Sequence, residues 1–229
     1  MSAGSEGDDA QNPRELSAGS FSSWLSDMQS ALRGERASDV PCGECTACCT
    51  SSQFVHIEPD ETKTLSRIPR QLLFPAPGLP KGHVLLGYDE NGHCPMLVEN
   101  RCSIYDDRPR TCRTYDCRVF PAAGLYPDDD EKAAIARQAR RWRFTPATDA
   151  DRNRHAAVRS AATFLGQNQD RFSHAGVPSD PTQLAVLAVE VHDAFLRLDE
   201  TSGQIAVVSP TPEVVEAEVL RRTRSRDAS

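Results

Sequence analysis

The chain has 229 residues, 38% hydrophobic and 26% charged, with a formal net charge of −7. That is enough apolar material for one large domain, or a site module with an added helical lobe, and the negative balance argues against a general grip on nucleic-acid phosphates. No run approaches the roughly 18 apolar residues of a membrane span, and the opening MSAGSEGDDAQNPRELSAGS has neither a basic nor an apolar leader region, so a cytoplasmic protein with no membrane segment is expected.

Residues 1–19 are rich in Ser, Gly, Asp and Ala without apolar periodicity and read as a disordered tail. From Phe21, apolar residues recur at Trp24, Leu25, Met28 and Leu32, which is helical spacing, with Ser20 or Ser22 as cap and Gly34 as stop. Pro41–Thr50 holds PCGECTACCT, whose Pro, Gly and clustered Cys suit tight turns and a ligand loop. Phe54, Val55 and Ile57 form a short extended run, and a helix is predicted over Pro59–Arg67. Three prolines and a glycine between Gln71 and Lys81 predict a surface loop. His83–Tyr88, Cys94–Val98 and Arg101–Ile104, separated by Asp89-Glu90-Asn91-Gly92 and Glu99-Asn100, predict a hairpin or small meander. Pro109 opens a predicted helix that carries Cys112 and reaches toward Cys117. Beyond it, helices are predicted over Asp129–Arg143, Asp149–Phe172, Pro181–Leu198 and Pro212–Arg222, with Asp149 and Asp180 as caps.

All eight cysteines lie between Cys42 and Cys117. In a chain of this size without an export signal, such grouping points to metal ligands or redox thiols rather than a disulfide framework. The first group is Cys42-x2-Cys45-x2-Cys48-Cys49; two intervening residues let a turn aim both thiolates at one ion while backbone N–H groups face the sulfurs. The second is Cys94, Cys102, Cys112 and Cys117, spread over the predicted hairpin and the following helix. Two tetrahedral zinc sites, a single four-iron cluster or a multinuclear site sharing thiolates all fit this count. Neighbouring side chains diverge, so the adjacent pair Cys48-Cys49 favours two metals, a multinuclear centre, or one thiol outside the ligand set. Arg101, Arg110, Arg113 and Arg118 flank the second group and would offset thiolate charge, although paired or solvated surface roles are the plainer expectation for each.

His93 adjoins Cys94, and His56 and His83 fall within the same module; structural or solvent-facing roles are expected for them, with His93 the best candidate extra ligand. Asp106 or Asp107 is read as the cap of the helix after Pro109, and Asp128–Glu131 as the negative start of another. The chain has no GxGxxG, P-loop, GxSxG or HExxH motif, so any enzymatic chemistry must come from the metal.

PCGECTACC followed by CPMLVENRCSIYDDRPRTC resembles the YkgJ-type cysteine-cluster family, a zinc- or iron-chelating domain with the pattern CxxCxxCC. The resemblance covers about residues 40–122. It implies that Cys42, Cys45, Cys48, Cys49, Cys94, Cys102 and Cys112 are metal-binding, with Cys117 as an eighth, and it aligns Ile104, Tyr105, Arg108 and Pro109 with the family's segment before Cys112. The expected architecture is α+β, a small cysteine-rich metal-binding module with short antiparallel strands plus a mainly helical C-terminal region. Its divisions are a tail over 1–19, a cysteine-cluster domain with leading helix over 20–125, a helical region over 126–222 and a tail over 223–229. The expected cofactor is zinc or iron, an iron–sulfur cluster included. The expected role is redox, metal-handling or metal-dependent catalysis, or alternatively a structural zinc module in an interaction protein. The sequence leaves open whether its partner is a protein or a small molecule.

Overall fold

A computed structural model describes residues 15–38, 40–172, 175–199 and 203–227. In chain order the first half comprises β1 (Leu16–Ser20), α1 (Phe21–Leu32), β2 (Val55–Ile57), α2 (Thr62–Arg67), β3 (Leu73–Pro75), β4 (Val84–Leu86), β5 (Leu97–Val98), β6 (Arg101–Cys102) and α3 (Arg110–Thr114). The second comprises α4 (Val119–Ala123), α5 (Ala133–Ala139), β7 (Trp142–Thr145), α6 (Asp149–Gln167), α7 (Pro181–Val191), β8 (Leu196–Leu198), β9 (Ile205–Val207) and α8 (Pro212–Asp227). The fold is α+β with short strands and a helical C-terminal region, as the sequence pattern indicates.

Two apolar cores organise it. The larger joins Phe21, Trp24, Leu25 and Met28 of α1 to Val119 and Phe120 of α4, Ile135 of α5, Val158 and Leu165 of α6, Leu187 and Val191 of α7, and Val215 and Val219 of α8. The leading helix thus shares its core with the C-terminal helices. The smaller consists of Ile57, Ile68, Leu86 and Ile104, with Cys94 and Cys102 packed against it.

The capping signals are realised in part. Ser20 caps α1 by accepting from the Ser23 amide, and Asp180 caps α7 through the Gln183 amide. For α6 the cap is Thr148, not Asp149: Thr148 and Asp151 form a reciprocal capping box. Asp107 caps no helix; it pairs with Arg67 at 3.0 Å, and Pro109 holds the position before α3 without a side-chain bond.

Several predicted boundaries move. Leu16–Ser20, read as part of the tail, is a strand paired in parallel with β7, while residues 1–14 and 228–229 lie outside the described residues. The helix expected over Pro59–Arg67 starts at Thr62, because Pro59–Glu61 form a turn whose Glu61 carboxylate accepts from the Glu58 amide. The loop expected over Gln71–Lys81 contains β3, whose edge position tolerates Pro75. The predicted meander becomes two sheets: β4 lies between β2 and β3, and β5–β6 form a separate hairpin. Its two loop residues, Glu99 and Asn100, both take positive φ (49° and 60°), as a type I′ turn demands. The helix expected to Arg143 ends at Ala139, and Trp142–Thr145 turns into β7. Likewise α6 stops at Gln167, and α7 stops at Val191 before the strand β8. In contrast, α8 runs on to Asp227, past the expected tail boundary.

Asp151 joins α6 to α1, accepting from the amides of Ser22 (3.0 Å), Ala147 (3.0 Å) and Thr148 (3.2 Å). Hydrogen bonds from the Ser22 side chain and these amides hold its carboxyl down at about 2 against the opposing effect of burial. A depressed carboxyl stabilises the fold fully above its unfolded value of about 3.9 and ceases to do so as pH falls through about 2. Asp151→Asn is therefore expected to lower the melting temperature by several degrees at pH 7 and by much less near pH 2. Equal losses at both pH values, read by circular dichroism, would assign the effect to packing instead.

Candidate metal centre

The first cysteine group is shaped by turns closed through its own backbone. The Cys42 amide donates to the Val40 carbonyl (2.7 Å) and the Cys45 amide to the Cys42 carbonyl (3.0 Å), with Gly43 between them at φ 55°. Ala47–Thr50 then form one 3-10 turn, tied by the Ser51 hydroxyl to the Ala47 carbonyl (2.6 Å). This turn is clipped to the next segment by two bonds, from the Cys94 amide to the Cys49 carbonyl (2.7 Å) and from the Ser52 amide to the Gly92 carbonyl (2.9 Å). Gly92 is required here: its φ is +77°, and a Cβ would collide with the Ser52 hydroxyl.

The remaining thiols arrive from three more elements. Cys102 stands opposite Leu97 in the β5–β6 hairpin, and Cys112 lies in α3. That helix is fastened over β2 by a hydrogen bond from the Thr111 hydroxyl to the His56 carbonyl (2.8 Å). Cys117 was expected to extend this helix, but α3 ends at Thr114 and Cys117 sits in the turn before α4. There it is buried in the helical core, and its sulfur accepts the Trp142 indole N–H at 3.2 Å.

Cys42, Cys45, Cys48, Cys49, Cys94, Cys102 and Cys112 all line one cavity of about 690 Å³, and Cys117 lies behind its wall. Met96, Leu97, Ile104 and Tyr105 supply apolar lining, Arg101 and Arg108 supply positive charge, and Glu44 and Glu99 supply negative charge. All eight cysteines are free thiols. Among the described residues no three Cys, His, Asp or Glu side chains converge closely enough to cage an ion, so ligation requires the thiols to rotate inward from the cavity wall.

Six of the thiols are disposed to stay protonated without a metal. Burial first, then neighbouring thiols, raises Cys49 to about 12. Burial followed by Cys49, Cys94 and Cys102 does the same for Cys112. Cys117 is also pushed to about 12 by burial, with the Trp142 N–H opposing and Asp116 reinforcing. Cys48 is raised well above the ordinary thiol value by burial and then Cys117, and Cys42 and Cys94 are raised chiefly by burial. Cys42, Cys48 and Cys112 face open cavity space yet have protein on most sides, which disfavours an uncompensated thiolate. Burial, followed by Cys48 and Cys117, also keeps the Tyr115 phenol neutral.

Of the flanking arginines, Arg110 is engaged by Glu58 (2.5 Å) and Asp60 (2.8 Å), and Arg113 faces Glu61 at 3.6 Å. Arg118 forms a buried pair with Asp116 at 2.8 Å, and that carboxylate also accepts from the Trp24 indole (2.9 Å) and the Ser38 hydroxyl (3.2 Å). The cation missed by sequence spacing is Arg108. Its guanidinium stacks over Tyr105 at 4.1 Å, and its charge opposes the upward shift at both Cys42 and Cys112. Arg108 is extended and lies just before Pro109 and α3, so its place beside the thiols comes from the loop path rather than from a helical spacing.

The histidines lie apart from the thiols. His56 and His83 bond each other (Nε2 to Nδ1, 3.0 Å), and the His93 amide donates to Asp89 at 2.8 Å. None of the three lines the cavity.

The donor set fits zinc or iron in kind: soft sulfur ligands in number, with cationic neighbours and no competing disulfide. The model of the family described as "CxxCxxCC: Putative zinc- or iron-chelating domain" matches residues 41–140, a little under half of the chain. No curated protein and no solved structure matches. No helix among the described residues is long and apolar enough to cross a membrane. The cysteine-lined cavity and the family match fall on the same stretch of chain, and residues 41–140 are similar to the CxxCxxCC zinc- or iron-chelating domains.

Proposed function

We propose that this protein holds zinc or iron on its eight thiols as an accessible centre, with a metal-handling or redox role. The supporting observation is that seven thiols face a single cavity instead of being sealed inside a core. A purely structural ion is normally enclosed by its ligands and their packing. Here the wall beside the sulfurs is apolar, with Arg101 and Arg108 as the charged groups able to meet an incoming anion or thiolate.

The chain's own residues define what ligation involves. Burial favours the protonated form of Cys42, Cys48, Cys49, Cys94, Cys112 and Cys117, so these must release protons as they bind, and affinity should rise with pH. The amide–carbonyl bonds within Pro41–Thr50 hold the sulfurs' backbone in place, and Arg108 offsets part of the accumulated negative charge. A bound zinc or iron centre would supply Lewis-acid or electron-transfer chemistry, respectively.

A second reading, a structural zinc module, draws on Cys117, which is buried in the helical core beneath Trp142. Elemental analysis and a visible spectrum of protein purified without oxygen, followed by competition with a chromogenic chelator, separate the two. An accessible centre gives up its metal within minutes, whereas a structural ion resists for hours. Protein that carries neither zinc nor iron under reducing conditions overturns both readings.

A further inference from the structure

Resting on the chelation reading above, we propose that the eight thiols form two separate four-thiolate centres. Cys42, Cys45, Cys48 and Cys117 make one beside the helical core, and Cys49, Cys94, Cys102 and Cys112 make the other beside the small β core. The boundary is the peptide bond between Cys48 and Cys49.

The 3-10 turn Ala47–Thr50 is the dividing device. At three residues per turn, successive side chains point about 120° apart, so Cys48 and Cys49 leave the backbone in different directions. Ala47 packs on the helical core that contains Cys117. The Cys49 carbonyl is instead bonded to the Cys94 amide at 2.7 Å, which puts Cys49 alongside the second segment.

Each half is anchored to its own core. Cys94 and Cys102 pack on Ile57, Ile68, Leu86 and Ile104, and α3 brings Cys112 over the same strands through its bond to the His56 carbonyl. Cys117 is held on the opposite side by Trp142 and the buried Asp116–Arg118 pair. Val40 and Ala47, on either side of Cys42 and Cys45, both pack on the helical core, whereas Cys94 and Cys102 pack on the small one.

The charges are consistent with two ions. Four thiolates around a divalent ion leave a formal charge of about −2. Arg108 lines the cavity that Cys42 and Cys112 also line, and Arg118 pairs with Asp116 next to Cys117. The whole set of eight cysteines is used, and neither group needs a histidine.

Cadmium is the probe, loaded into the reduced full-length protein and read by elemental analysis and cadmium NMR. The expected result is two cadmium ions per chain and two resonances. Cys102→Ser should move or remove one resonance, and Cys45→Ser the other, each dropping the content to about one ion. Cys117→Ser should repeat the Cys45→Ser result; if it unfolds the helical core, Cys45→Ser alone carries the test for that group. One ion per chain, more than two ions coupled through shared sulfurs, or either variant moving both resonances would overturn the division while leaving chelation intact. Failure to retain zinc, iron or cadmium at all would overturn the chelation reading itself.

Discussion

Chelation of the reduced protein is expected to raise amide exchange across Pro41–Cys117 by more than about tenfold while leaving Pro181–Val191 nearly as protected as before. The cysteine segment has a small apolar core, four buried side chains supplemented by half-buried neighbours, and its strands are only two or three residues long. Strands of that length contribute few ladder bonds, so metal–sulfur ligation must supply cohesion that packing does not. Structural thiolate sites contribute on the order of 10 kcal/mol to the folding of such modules. The helices draw on a separate and larger core, in which α7 is buried along most of its length. Hydrogen exchange with mass spectrometry before and after chelation reads both regions at once. Unchanged protection in both would make the metal an accessory to a stable fold, and collapse of both would make the two cores one cooperative unit.

Asp116→Ala should be the most damaging single substitution outside the thiols. The Asp116 carboxylate is almost wholly buried, faces the Arg118 guanidinium at 2.8 Å and accepts hydrogen bonds from Trp24 and Ser38. Removing it takes the carboxylate from the buried Arg118 pair and the acceptor from two buried donors, and breaking a buried ion pair from one side costs about 3–5 kcal/mol. At this chain length that is a fall in melting temperature of about 10 °C. Trp24→Phe, which deletes one hydrogen bond and keeps most of the aromatic packing, should cost about 1–3 kcal/mol. Calorimetry on the metal-loaded protein tests both variants. An Asp116→Ala loss no larger than that of Trp24→Phe would mean that the Asp116–Arg118 pair contributes little to stability.

The same carboxylate explains a limit of the sequence reading. Asp116 adjoins a cysteine and an arginine in a segment rich in charge, and nothing in its spacing distinguishes it from a solvated acid. Its role arises because α1, far away in the chain, presents Trp24 to it. Long-range pairing hid β1 in the same way: LSAGS buries only Ala18 and carries no alternating pattern, and it becomes a strand because Trp142–Thr145 lies alongside it. The Trp142–Thr145 segment was in turn obscured because its apolar residues continue the spacing of the helix before it. By contrast, several local signals held. The α1 stripe, the Ser20 and Asp180 caps and the Glu99-Asn100 hairpin turn all depend on residues within a few positions of one another.

The cysteine inventory and its chemistry were determined by the sequence alone, because CxxC spacing constrains thiols through a few backbone torsions. The character of the helical region was determined likewise, since apolar periodicity and caps act within single elements. Only the tertiary structure decided where the thiols sit. The Cys94 amide is bonded to the Cys49 carbonyl, Cys112 is carried over β2 by α3, and Cys117 is held in the helical core by a tryptophan that follows it in the chain. These partners are set by how two cores pack, and the energy of that packing is distributed over residues that no short motif contains.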